Sequence, residues 1–482
     1  MVAQQTGSGI WVLGPGAQNQ GNGTDARSGV MSRSYQYYVG NPPAPLIRRS
    51  GEPDDNVIVS LGRALVDTGV AYLFGEDVPS TITTPGAERA QDWLDECWRR
   101  NKRMLTLQKL AQNGGVCGHA FAKIIPDGIR TNQGAVNWPR VVVLDPQVVS
   151  VVTADDDCDT VDQYTIGLPP REGEAEESRR QQIDRQTDGQ GNTVGWVIRE
   201  QHSLGGAWVT DLHTPWDYDF APIVDCQNLP RPNDFWGESD LPDDICNMLH
   251  QINRVASHHQ KIIRVHASPK TWARGMGTRT LDLSIDSVIQ MPSETAELRI
   301  LEMQSDLSST REFLGVLEDN LAIVTRTPLV AMGVPDRQGA ISGVALQIRF
   351  RPLVQKTEAK RRTYGDLITE LDRRLLAIGG FGDAHLTQLD WPELLPSDPL
   401  SERQALVIDD SLGLASKETL SSKLGYDYQT EQKQLAQERA AAPPPIVPGI
   451  PGQAPVDPAQ PVPPPAPFAP PRPIEATRVT NR

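Results

Sequence analysis

Hydrophobic residues make up only 38% of this 482-residue chain and aromatics 6%. That is lean for a single compact enzyme, and suggests elongated segments or surface that is covered only on assembly. Cysteine is sparse: Cys97, Cys117, Cys158, Cys226 and Cys246 are widely spaced and include no CxxC pair. A zinc ribbon or redox motif is therefore not signalled, and reduced, mostly buried thiols are expected. No apolar run approaches the ~20 residues that cross a bilayer. The start, MVAQQTGSGIWVLGPG, lacks a basic region followed by an apolar core. No signal peptide is read there, and a soluble protein made in a cytoplasm is expected. Basic charge is also short, with 46 Lys and Arg against 61 Asp and Glu, a net charge of -15. This argues against a surface built throughout to grip nucleic acid, since phosphate binding needs clustered cations.

The motifs of common catalysis are missing too. There is no GxxxxGK[ST], GxSxG or HExxH, and no GxGxxG after a strand. His258 and His259 are adjacent and point to different helix faces, so they cannot form an i, i+4 metal pair. The run Asp155-Asp156-Asp157-Cys158-Asp159 has neither the glycine nor the distal glutamate of a calcium loop, and reads as a solvated turn between strands. No enzyme is expected, and no cofactor or metal; a metal-dependent hydrolase using Asp155 to Asp159 stays as a distant alternative.

What is present is an ordered series of elements of α+β class. The first thirty or so residues, rich in Gly, Gln, Asn and Ser, read as a mobile arm. A helix is expected from Asn56 to about Ala71, with Asp54, Asp55 or Asn56 as N-cap, then a short exit at Tyr72 to Gly75. A second helix is expected from Ala87 to about Gln112, broken by Gly114-Gly115. Strands are expected at Ala120–Ile125, Arg140–Leu144, Val148–Val152, Val161–Ile166, Val194–Glu200 and Trp208–Leu212. Arg171 to Asn192 reads as a long exposed loop. From Glu238, an apolar stripe through Leu241, Ile245, Met248, Ile252, Val255, His259 and Ile262 predicts a helix. Acids at its start and Arg254, Lys261 and Arg264 near its end suit the helix dipole. Short strands at Thr271–Arg274, Ser287–Met291 and Glu297–Glu302 lead to a helix from Leu307 to Arg326 bearing Leu307, Leu314, Leu317, Leu321 and Val324. A Gly/Pro loop leads into a long helix from Ser342 to about Ile378, which Pro352 should kink. A helical segment from Ser401 to about Arg439 precedes a proline-dense tail, Pro443 to Pro473.

Four local runs in this order resemble the portal (head-to-tail connector) proteins of tailed bacteriophages. They are Tyr37-Tyr38-Val39-Gly40-Asn41-Pro42-Pro43, Tyr72-Leu73-Phe74-Gly75-Glu76-Asp77-Val78, Val143-Leu144-Asp145-Pro146, and Gln227-Asn228-Leu229-Pro230 through Phe235-Trp236-Gly237-Glu238-Ser239-Asp240-Leu241. The resemblance covers about Ser34 to Arg439. It implies a wing at 34–237 after an arm at 1–33, stem helices at 238–266 and 306–327, and a small β clip at 267–305 between them. A tunnel loop at 328–343, a long kinked helix and wing return at 344–397, a helical crown at 398–440 and a proline-rich tail at 441–482 complete the scheme.

Further expectations follow from that resemblance. The chain would form a homo-oligomeric ring, usually of twelve subunits, at one capsid vertex, and serve genome packaging and ejection in the virion. Its partners would be double-stranded DNA held without sequence specificity, the terminase large subunit, a head-tail adaptor, the major capsid protein and a scaffold protein; no membrane is implied. Stem stripes would meet between neighbours through Ile245, Ile252, Val255, Leu314, Leu317 and Leu321. Arg337, Gln338 and Gln347 would lie near DNA. Lys270, Arg274 and Arg279 of the clip would receive docking partners. Another oligomeric phage structural protein is the nearer alternative.

Overall fold

The computed structural model describes residues 23–48, 50–130, 137–169, 178–188, 190, 192–204, 207–267, 271–274, 297–300, 307–334, 343–382, 384–395 and 399–441. Among them lie two compact units, residues 1–396 and 397–482. The first unit opens with α1 (Gly23–Val39), α2 (Leu61–Phe74), β1 (Ser80–Ile82), α3 (Glu88–Arg100) and α4 (Arg103–Cys117). Eight strands follow: β2 (His119–Arg130), β3 (Asn137–Leu144), β4 (Val149–Thr153), β5 (Val161–Leu168), β6 (Arg179–Thr187), β7 (Thr193–Leu204), β8 (Ala207–Trp216) and β9 (Ile223–Gln227). Then come α5 (Asp243–Ala267), β10 (Thr271–Arg274), β11 (Glu297–Ile300), α6 (Leu307–Thr325), α7 (Gly343–Ile378) and β12 (Thr387–Leu389).

Among the described residues all strand pairs are antiparallel. One sheet runs β3-β2-β9, a second runs β4-β5-β6-β7-β8, and β10-β11 and β1-β12 form two short ribbons. Lys123 of the first sheet donates to Gln181 of the second. Helices α2, α4 and α7 carry the core beside them, with Leu65, Leu73, Phe74, Leu107, Leu110, Leu367, Leu371 and Leu375 buried. Burying these side chains, at roughly 1.5–3 kcal/mol each for a large aliphatic, is what holds the helices to the sheets.

Several expectations need correction. Residues 23–33 belong to helix α1 rather than to a mobile arm; Met31, Ser34 and Tyr37 are buried, and the Ser34 hydroxyl donates to Leu241 O at 2.8 Å. Residues 1–22 lie outside the described set, as does the proline-rich tail. Helix α2 begins at Leu61, because Asn56 to Ser60 runs outside helical hydrogen bonding and is pinned to α5. The Val57 N–H donates to Ser257 Oγ at 2.9 Å and the Val59 N–H to Asn253 Oδ1 at 2.9 Å. Two side chains of a helix thus play the part of a neighbouring strand. Asn253→Ala is expected to cost about 1 kcal/mol in chemical denaturation, the usual price of one such bond.

The helix expected over 87–112 is two helices. Lys102, at φ 52°, turns the chain between α3 and α4. The glycines expected to end it lie inside α4, where they admit close neighbours. The expected loop 171–192 contains β6, a central strand with one fully buried apolar residue, Ile183. Ion pairs to both neighbours supply the rest: Arg185 with Asp162 of β5 (3.1 Å), and Arg199 of β7 with Asp184 (3.2 Å). Helix α5 starts at Asp243, five residues later than expected, with Pro242 O accepting the first helical N–H from Cys246.

The second unit holds α8 (Pro399–Ser411), α9 (Lys417–Lys423) and α10 (Tyr428–Ala441) where one helical segment was expected. Gly413 and Gly425, both at positive φ, end the first two helices. Strands β10 and β11 and helices α6 and α7 match the sequence reading closely; Ser287–Met291 lies outside the described residues.

Candidate functional site

The site is best built from α7, a single helix of 36 residues. Lys356 and Lys360 are one turn apart and therefore project from one face. Both ammonium groups reach the carboxylate of Asp240, with Lys356 Nζ 2.8 Å from Oδ1 and Lys360 Nζ 2.5 Å from Oδ2. Lys356 also donates to Thr325 O at the C-terminal end of α6, 3.1 Å away. Asp240 is in turn fixed to α4: its N–H donates to Gly115 O (2.8 Å), and the Ser239 hydroxyl donates to Val116 O (2.7 Å). These bonds occupy carbonyls that the end of a helix would otherwise leave unmet.

Burial alone would push the Asp240 carboxyl up, but the two ammonium groups outweigh it and hold it at about 2. Burial depresses Lys360, opposed by Asp240. Three buried charges thus join α4, the approach to α5, the end of α6 and the middle of α7. Nothing in the composition flagged this cluster. The usable signal was the Lys356–Lys360 spacing, whereas Asp240 passed for an ordinary dipole-matching acid.

Further along α7, Tyr364 donates to Asn228 Oδ1 at 3.3 Å and meets Phe74 edge-on at 5.8 Å. Asp372 accepts from Trp98 Nε1 at 2.5 Å. Arg374 donates to Ala221 O and Ile223 O at 2.6 and 2.7 Å. One helix therefore touches α3, the strand β9 and the stretch before α5.

Helices α5 and α6 pack together. Of the residues expected to meet a neighbouring subunit, Ile245, Ile252 and Leu321 are buried within the single chain, while Val255, Leu314 and Leu317 are half-buried. The first three are therefore already covered, because α6 turns its Leu314, Leu317 and Leu321 side inward. The large apolar side chains that α6 exposes lie on an adjoining face: Phe313, Val316, Ile323 and Val324, with Ile323 72% exposed. The amphipathic reading grouped Val324 with Leu314, Leu317 and Leu321, whereas it lies exposed beside Phe313, Val316 and Ile323.

Gln347 is exposed near the start of α7, and Arg274 is exposed on β10. Arg337, Gln338, Lys270 and Arg279 lie outside the described residues. The run Asp155 to Asp159 forms the turn from β4 to β5. Asp157 shapes it by accepting from Asp159 N–H (3.0 Å) and Thr160 Oγ1 (2.5 Å). Asp157, Cys158 and Asp159 are the one group among the described residues with metal-ligand spacing. Among the described residues, no helix is long and apolar enough to cross a membrane.

No curated protein matches the chain. Among solved structures it is similar to a chain of the virion of a native gene transfer agent (GTA) particle, at 14% identity and TM-score 0.45, over 83% of this chain and 93% of that one. It is also similar to a chain of the neck of an empty GTA particle computed with C6 symmetry (14%, TM-score 0.48, 83% and 93%). A third is a chain of the neck of a native GTA particle computed with C12 symmetry (14%, TM-score 0.43, 76% and 89%). The family described as phage portal protein, SPP1 Gp6-like, matches residues 31–444, from within α1 through α10. With that span matched, the chain belongs to the SPP1 Gp6-like family of phage portal proteins.

Proposed function

We propose that this portal protein closes into a ring at one capsid vertex and forms the conduit through which double-stranded DNA enters and leaves the head. The observation that carries this reading is the uncovered apolar face of α6, in a chain that already buries the other face against α5. A second copy is the occupant such a face needs. A closed ring repeats one heterologous contact, so each subunit offers one surface and receives another.

The excess of acid suits a conduit. A cationic lining repeated in every subunit would neutralise many phosphates at once and hold the duplex in place. Contacts would then be few and directed at backbone, with Gln347 and the stretch around Arg337 and Gln338 near the duplex. In this reading α5 and α6 are the stem, β10 and β11 belong to the clip, and α8 to α10 build the crown. The clip, with Arg274, receives the terminase during packaging and an adaptor afterwards. Energy for translocation comes from a separate ATPase, and this chain performs no catalysis.

The test is assembly. Negative-stain images of purified protein are expected to show rings with a central hole; filaments or shells would favour a different structural role. Val316→Asp with Ile323→Asp is expected to abolish rings in native mass spectrometry. Because both side chains are exposed, the thermal midpoint of the monomer should stay within a few degrees. Ring mass equal to that of the unaltered chain would remove the α6 face from the subunit contact.

A further inference from the structure

A strongly basic stretch lies at one corner of this acidic chain. The corner between α3 and α4 carries Arg99-Arg100-Asn101-Lys102-Arg103. Beside it opens a cleft of about 620 Å³, walled by that corner, the next turn of α4 and strands β2 and β3. Arg100, Lys102, Lys109 and Arg140 line it, and no acid does. Arg100 is committed elsewhere, paired with Glu96 at 2.7 Å and stacked on Trp138 at 4.7 Å. Lys102, Lys109 and Arg140 are exposed and have no ion-pair partner among the described residues. Lys102 holds a left-handed conformation (φ 52°) that disfavours a long side chain, and no side chain caps the amides that start α4 behind it. The cleft is thus a cluster of unspent positive charge, with a helix N-terminus adding to it.

The complementary feature is the β4–β5 turn. Asp157 is spent on the turn itself, leaving Asp155, Asp156 and Asp159 exposed and without a cation among the described residues. Three carboxylates and three cations, none with an ion-pair partner among the described residues, therefore lie on one chain and do not meet within it. A head-to-tail ring contact needs two unlike surfaces of this kind on each subunit.

We infer that the basic cleft of one subunit receives the acidic Asp155–Asp159 turn of the next, as a second subunit contact besides the α6 face. The inference rests on the ring reading above. A turn of polypeptide suits a cleft walled partly by Leu105, Ile129 and Val141, and the cleft is too small to seat a duplex along its length. The contact also gives the acidic run a structural task that needs no metal ion.

The experiment uses the full chain in native mass spectrometry at low salt. The unaltered chain should form rings; failure to do so would overturn the ring reading itself, and this contact with it. Lys102→Glu, Lys109→Glu and Arg140→Glu together are expected to raise the concentration for half-assembly by about tenfold, since three exposed pairs at each interface turn repulsive. Asp155→Lys, Asp156→Lys and Asp159→Lys together should do the same. Combining all six should restore assembly, an outcome that loss of folding cannot mimic. High salt should narrow the difference, as the Debye length falls to about 3 Å at 1 M. Rings unchanged in both triple variants would overturn the contact. So would rings unchanged while binding to a fluorescent DNA duplex is lost, which would assign the cleft to nucleic acid instead.

Discussion

Replacing Asp240 with Ala is expected to cost about 3–5 kcal/mol of folding free energy, the usual result of removing one partner from a buried ion pair. The size follows from what is left behind. Lys356 and Lys360 would face each other in a site where the Asp240 side chain is only 1% exposed. Charge, not lost volume, is the damage, so Asp240→Leu with Lys356→Met and Lys360→Met should recover most of the loss. Chemical denaturation of the three proteins checks this. A loss below about 1 kcal/mol for Asp240→Ala would mean that the cluster contributes little to joining the four elements. The acid response has a definite sign. Asp240 ionises at about 2 in the folded chain against an ordinary 3.8, so its contribution is fully present above about 4. It is lost as the pH falls from there through about 2. Asp240→Asn should flatten that part of the stability profile.

The second large effect concerns Gly114. A methyl group there would lie 1.9 Å from Tyr364 Oη and 3.2 Å from Cζ. Intrinsic helix propensity predicts that Gly→Ala stabilises an interior helical position by about 1 kcal/mol. Gly114→Ala is nonetheless expected to destabilise by about 3 kcal/mol, because α4 and α7 must separate to admit it. Tyr364→Phe alone should cost about 1 kcal/mol through the bond to Asn228. It also removes the atom that clashes, so the double variant should be more stable than Gly114→Ala alone. Additive losses in thermal unfolding would show that the two helices are not in the contact described.

These two sites also show what the sequence discloses and what it conceals. Helices α5, α6 and α7 were legible because their apolar residues recur at helical spacing over many turns, a signal that survives whatever packs against it. Strand β6 was not: RRQQIDRQT offers one apolar side chain, and its place in the sheet depends on charges contributed by β5 and β7. Gly114 and Gly115 look like a helix break in isolation, and only the proximity of Tyr364 and Asp240 explains them within a helix. Helix α1 has almost no amphipathic signal and is held by contacts such as that of Ser34 with Leu241, more than two hundred residues away.

The candidate site follows the same division. The family resemblance named the right class of protein, and the pair of helices it singled out, α5 and α6, do pack together. It could not say which face of α6 remained open, because that depends on which face α5 had already taken. Asp240 was visible as an acid before a helix, but its two lysines lie more than a hundred residues on.

Helix α7 has one mechanical consequence. At 1.5 Å per residue its 36 residues make a strut about 54 Å long. From Leu353 onward it is fastened at every few turns, by Lys356, Lys360, Tyr364, Asp372 and Arg374. Pro352 leaves Ile348 O without its helical donor just before the first of these fastenings. Bending is therefore cheapest at that one joint. A force on Leu346, Gln347 and Ile348, exposed at the start of α7, meets its first buried side chain at Phe350, which packs beside Tyr72 two residues short of Pro352. The strut can thus yield at Pro352 while the buried contacts from Leu353 onward stay made.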